Sequence, residues 1–297
     1  MTAFIDAYLH RLDLDNLAGQ PPSVANLHTL HRAHTERVPY ECLEIWLNRR
    51  TTVDPMESAR RILRDRGGYC FQLNGAFSLL LDALGYQVTR HVGGVQGTAD
   101  DPAEADAGHL VLTVSGLPSE DSPDGRWLVD LGMGDGLHEP LPLTEGTHRQ
   151  GPFQYGLRPS QAEPSGWRFD HDPRGSFVGM DFRPHAAEMA AFAEQHEHLS
   201  TSPKSGYVRV ATVQRRDATG ADVLRGLVLT RIGEGKRSRT LENRRDYFTA
   251  LADVFGLTLG DVTPAERDGL WRRLLAAHER WLSRRREATL AKSGLAT

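Results

Sequence analysis

Residues 66–75 read RGGYCFQLNG and hold one of the two cysteines in a chain of 297 residues. A diglycine lets the backbone turn sharply and pass close to a neighbour. In the following LNGAFSLLLDALGY, Phe77, Leu80, Leu81 and Leu84 make one apolar stripe at helical spacing, and Gly85 suits the helix end. Cys70 therefore stands at or just before a helix start, where unpaired backbone N–H groups favour a thiolate. A thiol reacts as its thiolate. Two readings stay open on these residues alone: a nucleophile, or a buried thiol without chemistry.

Towards the N-terminus, FIDAYLHRL, VANLHTLHRAHTERV and MESARRILRD carry apolar residues three to four apart and read as helices. Asp54 suits a cap and Pro55 a first helical turn. Beyond residue 85 the period changes to that of strands: QVTRHVGGV, HLVLTVSG and RWLVDLG, separated by turn-rich stretches. Residues 96–108 are polar and expected to form a surface loop, and 144–180 loops and short strands. PHAAEMAAFAEQHEHL, 184–199, returns to helical spacing, and the linker STSPKSG follows. YVRVATVQRR and VLRGLVLTRI read as paired strands, and helices are expected near 245–255 and 265–287, with a frayed tail. The division expected is 1–85 helical, 86–200 rich in strands and 201–297 mixed.

The charge balance is 35 basic against 39 acidic residues, net −4, which gives no reason to expect a nucleic-acid or membrane surface. The basic run at 284–286 reads as a helix surface. Two cysteines build no disulfide framework, the first residues show no secretory pattern and no apolar run is long enough to span a bilayer. A cytoplasmic location is expected. The histidine-rich HRAH at 31–34 and HEH at 196–198 complete no recognisable ligand set, so no metal is expected.

A cysteine nucleophile needs a base, and the base an orienting partner. His109 opens the strand HLVLTV, and Asp130 ends the strand RWLVD. Neighbouring strands would bring them together, the aspartate fixing the histidine tautomer. Among thirteen histidines, though, His109 reads equally well as structural, and Asp130 before LGMGDG as a turn cap.

RGGYCFQLNG, HLVLTV and WLVDLGMGDG resemble, in family order, the nucleophile, histidine and aspartate motifs of the arylamine N-acetyltransferases. VPYECLEIW, HDPRGSFVGMDF, LSTSPKSGY and LRGLVLT resemble further landmarks, so the likeness runs from about residue 25 to about 250. It implies an α+β fold with a helical bundle, a central β-barrel-like domain and a C-terminal α/β lid. It also implies a cysteine-protease-like triad of Cys70, His109 and Asp130. Acetyl-CoA is then the co-substrate, no cofactor is permanently bound, and an arylamine or hydrazine takes the acetyl group in a ping-pong cycle. Gly93, Gly94, Gly132 and Gly134 are expected to approach the donor phosphates through backbone N–H groups. Tyr40, Tyr69, Phe71 and Phe177 are expected at the acceptor. Backbone N–H groups of Cys70 and near Gly132 are candidates for the oxyanion.

The likeness is imperfect. The family's glutamate two residues after the cysteine is Gln72, the asparagine of the earlier segment is Cys42, and the aromatic after the aspartate strand is Met133. A related reading is an amide synthase that closes a polyketide macrolactam with a chain from an acyl carrier protein. A cysteine hydrolase and a non-catalytic binding protein are two further readings.

Overall fold

The computed structural model describes residues 2–294, with side chains described from 3 to 287. The N-terminal region is helical: α1 (Thr2–Arg11), α2 (Val24–Arg37), α3 (Leu43–Trp46), α4 (Pro55–Ile62) and α5 (Cys70–Ala83), with a two-residue strand β1 (Tyr40–Glu41) between α2 and α3. Asp54 caps α4 as the sequence predicts, its Oδ1 accepting from Met56 N at 2.7 Å, and Ser23 caps α2 by accepting from Asn26 N at 3.1 Å. α5 starts at Cys70, ahead of the apolar stripe, because Gln72 Oε1 accepts the Tyr69 N–H at 3.0 Å and closes the first turn. Its residues from Cys70 to Ser78 are all buried, which makes α5 the central helix.

An antiparallel sheet follows: β2 (Gln87–Gln96), β3 (His109–Ser115), β4 (Trp127–Val129), β5 (Leu141–Pro142), β6 (Gly146–Gln150), β7 (Phe153–Pro159), β8 (Trp167–Asp170) and β9 (Gly179–Ala186). Its order is β5-β4-β3-β2-β9-β8-β7-β6, and it curls into a nearly closed barrel. Strand alternation divides the cores. Val111 joins Phe153, Tyr155, Phe169, Met180 and Phe182 inside the barrel, while Leu110, Leu112 and Val114 of the same strand face the helices. Each such fully buried Leu or Phe contributes about 1.5–3 kcal/mol.

The chain ends in an α/β region: α6 (Ala193–Thr201), α7 (Gly206–Arg209), β10 (Thr212–Asp217), β11 (Gly220–Arg225), β12 (Val228–Ile232), β13 (Lys236–Thr240), α8 (Arg244–Phe255) and α9 (Pro264–Gly294). Its sheet has the order β1-β10-β11-β12-β13, so Tyr40 and Glu41 of the N-terminal region pair with Gln214 and Val213.

Local expectations differ from the structure in places, and one strand has no counterpart among them. The stretch 184–199 is not one helix: β9 runs to Ala186, and Ala187 N still pairs with Arg90 O at 2.8 Å before α6 begins. Barrel pairing overrides the helical propensity of an alanine-rich segment. The start of YVRVATVQRR is the turn of helix α7, because Ser205 Oγ accepts the Tyr207 N–H at 3.1 Å. β13, KRSRT, is exposed throughout and carries no apolar alternation to announce it. α9 reaches Gly294, and the last residues of the expected frayed tail, 295–297, lie outside the described residues. Among the described residues, no helix is long and apolar enough to cross a membrane.

Candidate active site

The loop before α5 is held from three sides. Arg66, buried, pairs with Glu44 at 2.7 Å, Asp261 at 3.2 Å and Glu41 at 3.6 Å. Glu41 N donates to Gly68 O at 2.8 Å. Gly67 has no room for a side chain, since a Cβ there would lie 1.9 Å from Pro39 O. Cys70 is thus delivered as the first residue of a buried helix, with its backbone N–H outside the intrahelical ladder.

His109, the first residue of β3, and Asp130, just past β4, arrive from neighbouring strands. His109 Nε2 donates to Asp130 Oδ2 at 2.7 Å, and the Cys70 side chain lies near enough to favour the protonated ring. With Nε2 engaged by Asp130, Nδ1 is the nitrogen left for sulfur. All three side chains are buried, and Cys70 Sγ points to Gly108 O at 3.8 Å. Gly132 packs against the nucleophile so tightly that a Cβ would lie 2.5 Å from Cys70 Cα. Its N–H donates to Asp130 Oδ1 at 2.8 Å. That donor is spent on the aspartate.

Tyr40 and Tyr69 lie near the thiol, and Phe71 packs against Tyr69, Phe192 and His196. The Tyr69 ring lies tilted against Tyr207 at 4.9 Å and edge-on to Phe71 at 5.7 Å, and Tyr40 and Tyr207 share a hydrogen bond at 2.6 Å. Burial raises the pKa of Tyr40, Tyr69 and Tyr207. Tyr69 OH donates to His196 Nδ1 at 2.7 Å, because His196 Nε2 is committed to Thr51 O at 2.7 Å. Phe177 lies apart, edge-on to His171 at 4.3 Å, against the barrel core. Gly93 and Gly94 are inside β2, paired with β9, and Gly94 meets the backbone of Glu104. Gly134 has φ +64° and abuts Gln214.

The departures have physical accounts. Gln72 caps α5 with a neutral oxygen, so no charge is required there. Cys42 Sγ accepts from Thr212 N at 3.2 Å, and burial pushes its thiol up to about 12. Met133 fills the barrel core. Sequence reasoning missed the roles of Asn74, Tyr207 and His196, whose partners are all distant in the chain.

A cavity of about 720 Å³ opens between the C-terminal sheet, α9 and residues 174–176. Trp46 and Trp281 contribute to its walls, with Arg209, Arg225, Lys236 and Arg284. Among the described residues none of these four cations has a carboxylate partner. No metal-binding group of side chains occurs among the described residues.

A family profile described as N-acetyltransferase matches residues 23–263. The arylamine N-acetyltransferase of Mycolicibacterium smegmatis is 29% identical over 279 residues, covering 88% of this chain and 94% of that protein. The structure of the arylamine N-acetyltransferase from Salmonella typhimurium superposes with a TM-score of 0.77 at 26% identity, over 92% of this chain and 99% of that one. The Mycobacterium marinum arylamine N-acetyltransferase in complex with CoA gives 0.77 at 26% identity, over 91% and 98%.

Proposed function

The chain belongs to the arylamine N-acetyltransferase family, and we propose that it acetylates arylamine or hydrazine nitrogen through Cys70, His109 and Asp130. The observation that carries this reading is a buried imidazole that bonds a carboxylate and is raised in pKa by the neighbouring cysteine at a helix start.

His109 takes the Cys70 proton, and the thiolate attacks the thioester carbonyl of acetyl-CoA. The negative oxygen that develops is met by the Cys70 N–H. Collapse breaks the bond to the CoA sulfur, which leaves with the proton from His109, and acetyl-Cys70 remains. An arylamine, neutral at pH 7, then attacks the acetyl carbonyl with its lone pair. His109 removes its proton and the Cys70 thiolate is released. Asp130 keeps the imidazole in the required tautomer and compensates its charge throughout.

The cationic cavity supports an anionic donor: its four unpaired cations suit the phosphates of CoA. Gly134 remains as a backbone contact for the donor, since the Gly132 N–H is spent on Asp130 and Gly93 and Gly94 pair within the sheet, and Tyr40, Tyr69 and Phe71 remain as walls for the acceptor ring. Two free, buried thiols fit a reducing compartment such as the cytoplasm.

The test is mass spectrometry after mixing with acetyl-CoA in the absence of amine. One acetyl group is expected on the Cys70 peptide, absent in C70A and discharged by arylamine. An enzyme acylated only by a carrier-bound chain would move the function to an amide synthase. No adduct from any thioester would overturn the covalent step.

A further inference from the structure

Asn74 lies one turn after Cys70 on α5 and is completely buried. Its Nδ2 donates to Leu110 O at 2.6 Å and to Asp130 Oδ1 at 2.8 Å, and its Oδ1 accepts the Leu131 N–H at 2.8 Å. Leu110 follows His109 and Leu131 follows Asp130. One amide therefore ties the helix of the nucleophile to the strand of the base and to the segment of its orienting acid.

Resting on the reading that Cys70, His109 and Asp130 carry the transfer, we propose that Asn74 is a positioning residue whose neutral amide sets which oxygen of Asp130 meets His109. Asp130 Oδ1 receives two N–H donors, from Asn74 and from Gly132, each at 2.8 Å. Oδ2 is left to the imidazole at 2.7 Å. Turning the carboxylate breaks both bonds to Oδ1, so the plane of Asp130, and with it the His109 ring, is fixed from α5.

A carboxamide suits this place chemically. It supplies two donors and an acceptor without charge. The substitution N74D keeps the shape but sets a second carboxyl group against Asp130, and two such groups do not both ionise at hydrogen-bond distance. While the pair holds one shared proton, the introduced carboxyl donates an O–H···O bond to Asp130 and keeps that contact, although Leu110 O loses its donor. Once that proton is lost, the contact is repulsive. N74D thereby converts the positioning contact into a titratable one.

The experiment compares full-length wild type, N74A and N74D by steady-state acetyl transfer, by the rate of Cys70 alkylation with iodoacetamide across pH, and by thermal melts. N74A is expected to lose on the order of 10²-fold in kcat with little change in KM, the effect of misplacing a reacting group by about 1 Å. N74D is expected to lose activity and thiol reactivity as pH rises through neutrality and to regain both reversibly on acidification. This alkaline limb is one that neither wild type nor N74A shows. N74A within about twofold of wild type in kcat and alkylation, or an N74D profile parallel to that of wild type, overturns the proposal. If N74A fails to melt cooperatively, N74D decides: folded but inactive at every pH, it also overturns it. A wild type that never acylates strikes the transfer reading instead, and the alkylation profiles still test Asn74.

Discussion

Asp130 Oδ2 stands 2.7 Å from His109 Nε2, and neither side chain reaches solvent. Burial alone would drive a proton off the ring. The Asp130 charge, the negative charge available on Cys70 and hydrogen bonds to both outweigh it, and His109 is pushed up to about 10 from 6.5. Its folded value exceeds its unfolded one, so this contribution to stability is full below about pH 6.5 and is lost as pH rises towards 10. Through neutrality the ring keeps its proton beside the sulfur. D130N should slow alkylation of Cys70 by iodoacetamide at neutral pH, because the ring then loses the carboxylate that holds its proton. Cys42, its thiol pushed up to about 12, should stay unlabelled in the folded enzyme. Peptide mass spectrometry reads both sites, and equal labelling of Cys42 would contradict this assignment.

Arg66 binds the nucleophile loop to the far end of the chain, with Asp261 at 3.2 Å and Glu44 at 2.7 Å. Removing the guanidinium leaves the buried Glu41 and half-buried Glu44 carboxylates without their nearest shared counter-charge. R66A should cost about 3–5 kcal/mol, the range for breaking a buried pair from one side. R66K keeps the charge but loses the planar fork, so it should fall between. Thermal melts and urea titrations measure both. An R66A protein as stable as wild type would show that water reaches these carboxylates.

What the sequence makes legible is what is local. The stripe on α5 and the alternation in β3 are read from residues a few positions apart, so the central helix and barrel strand are anticipated with Cys70 and His109 at their starts. Asn74 is different: its partners lie 36 and 56 positions away, and nothing in LNGAF distinguishes a wiring asparagine from a capping one. β13 is recruited by β12 alone and has no buried face. The motif family order supplied the triad where spacing left His109 and Asp130 ambiguous. It did not supply the commitment of the Gly132 N–H, which depends on how the turn after Asp130 closes.

His31 and His34 carry the opposite sign from His109. Burial is the main cause that lowers His31 to about 4 and His34 to about 3. His31 Nδ1 donates to His138 O at 3.0 Å, and His34 Nε2 accepts from Tyr8 OH at 3.0 Å, bonds that neutral rings satisfy. The unfolded chain binds protons near pH 6.5 that these rings refuse, so stability is full above about 6.5 and declines as pH falls towards 4 and 3. Tm should drop steadily over that window. H34Q, neutral at every pH, should melt lower at pH 7 but with a shallower acid slope. An unchanged slope in H34Q would assign the acid loss to other groups.

The cavity and its unpaired cations make the donor site separable from the triad. Arg225, Lys236 and Arg284 line one wall system but stand on β11, β13 and α9, so charge reversal at each perturbs a different element while acting on the same space. All three are exposed and none supports a core, and surface changes of this kind usually alter stability by less than about 0.5 kcal/mol. If CoA phosphates bind here, R225E, K236E and R284E should each raise KM for acetyl-CoA roughly tenfold, the worth of about 1.4 kcal/mol in binding. The acetyl-transfer kcat should hold, because the triad is untouched. Acetyl-pantetheine, which lacks the nucleotide, should bind all three variants as it binds wild type. Added salt should weaken acetyl-CoA in wild type more than in the variants, since screening acts on the charges they remove. A KM for acetyl-CoA that ignores both the substitutions and the salt would place the donor phosphates elsewhere.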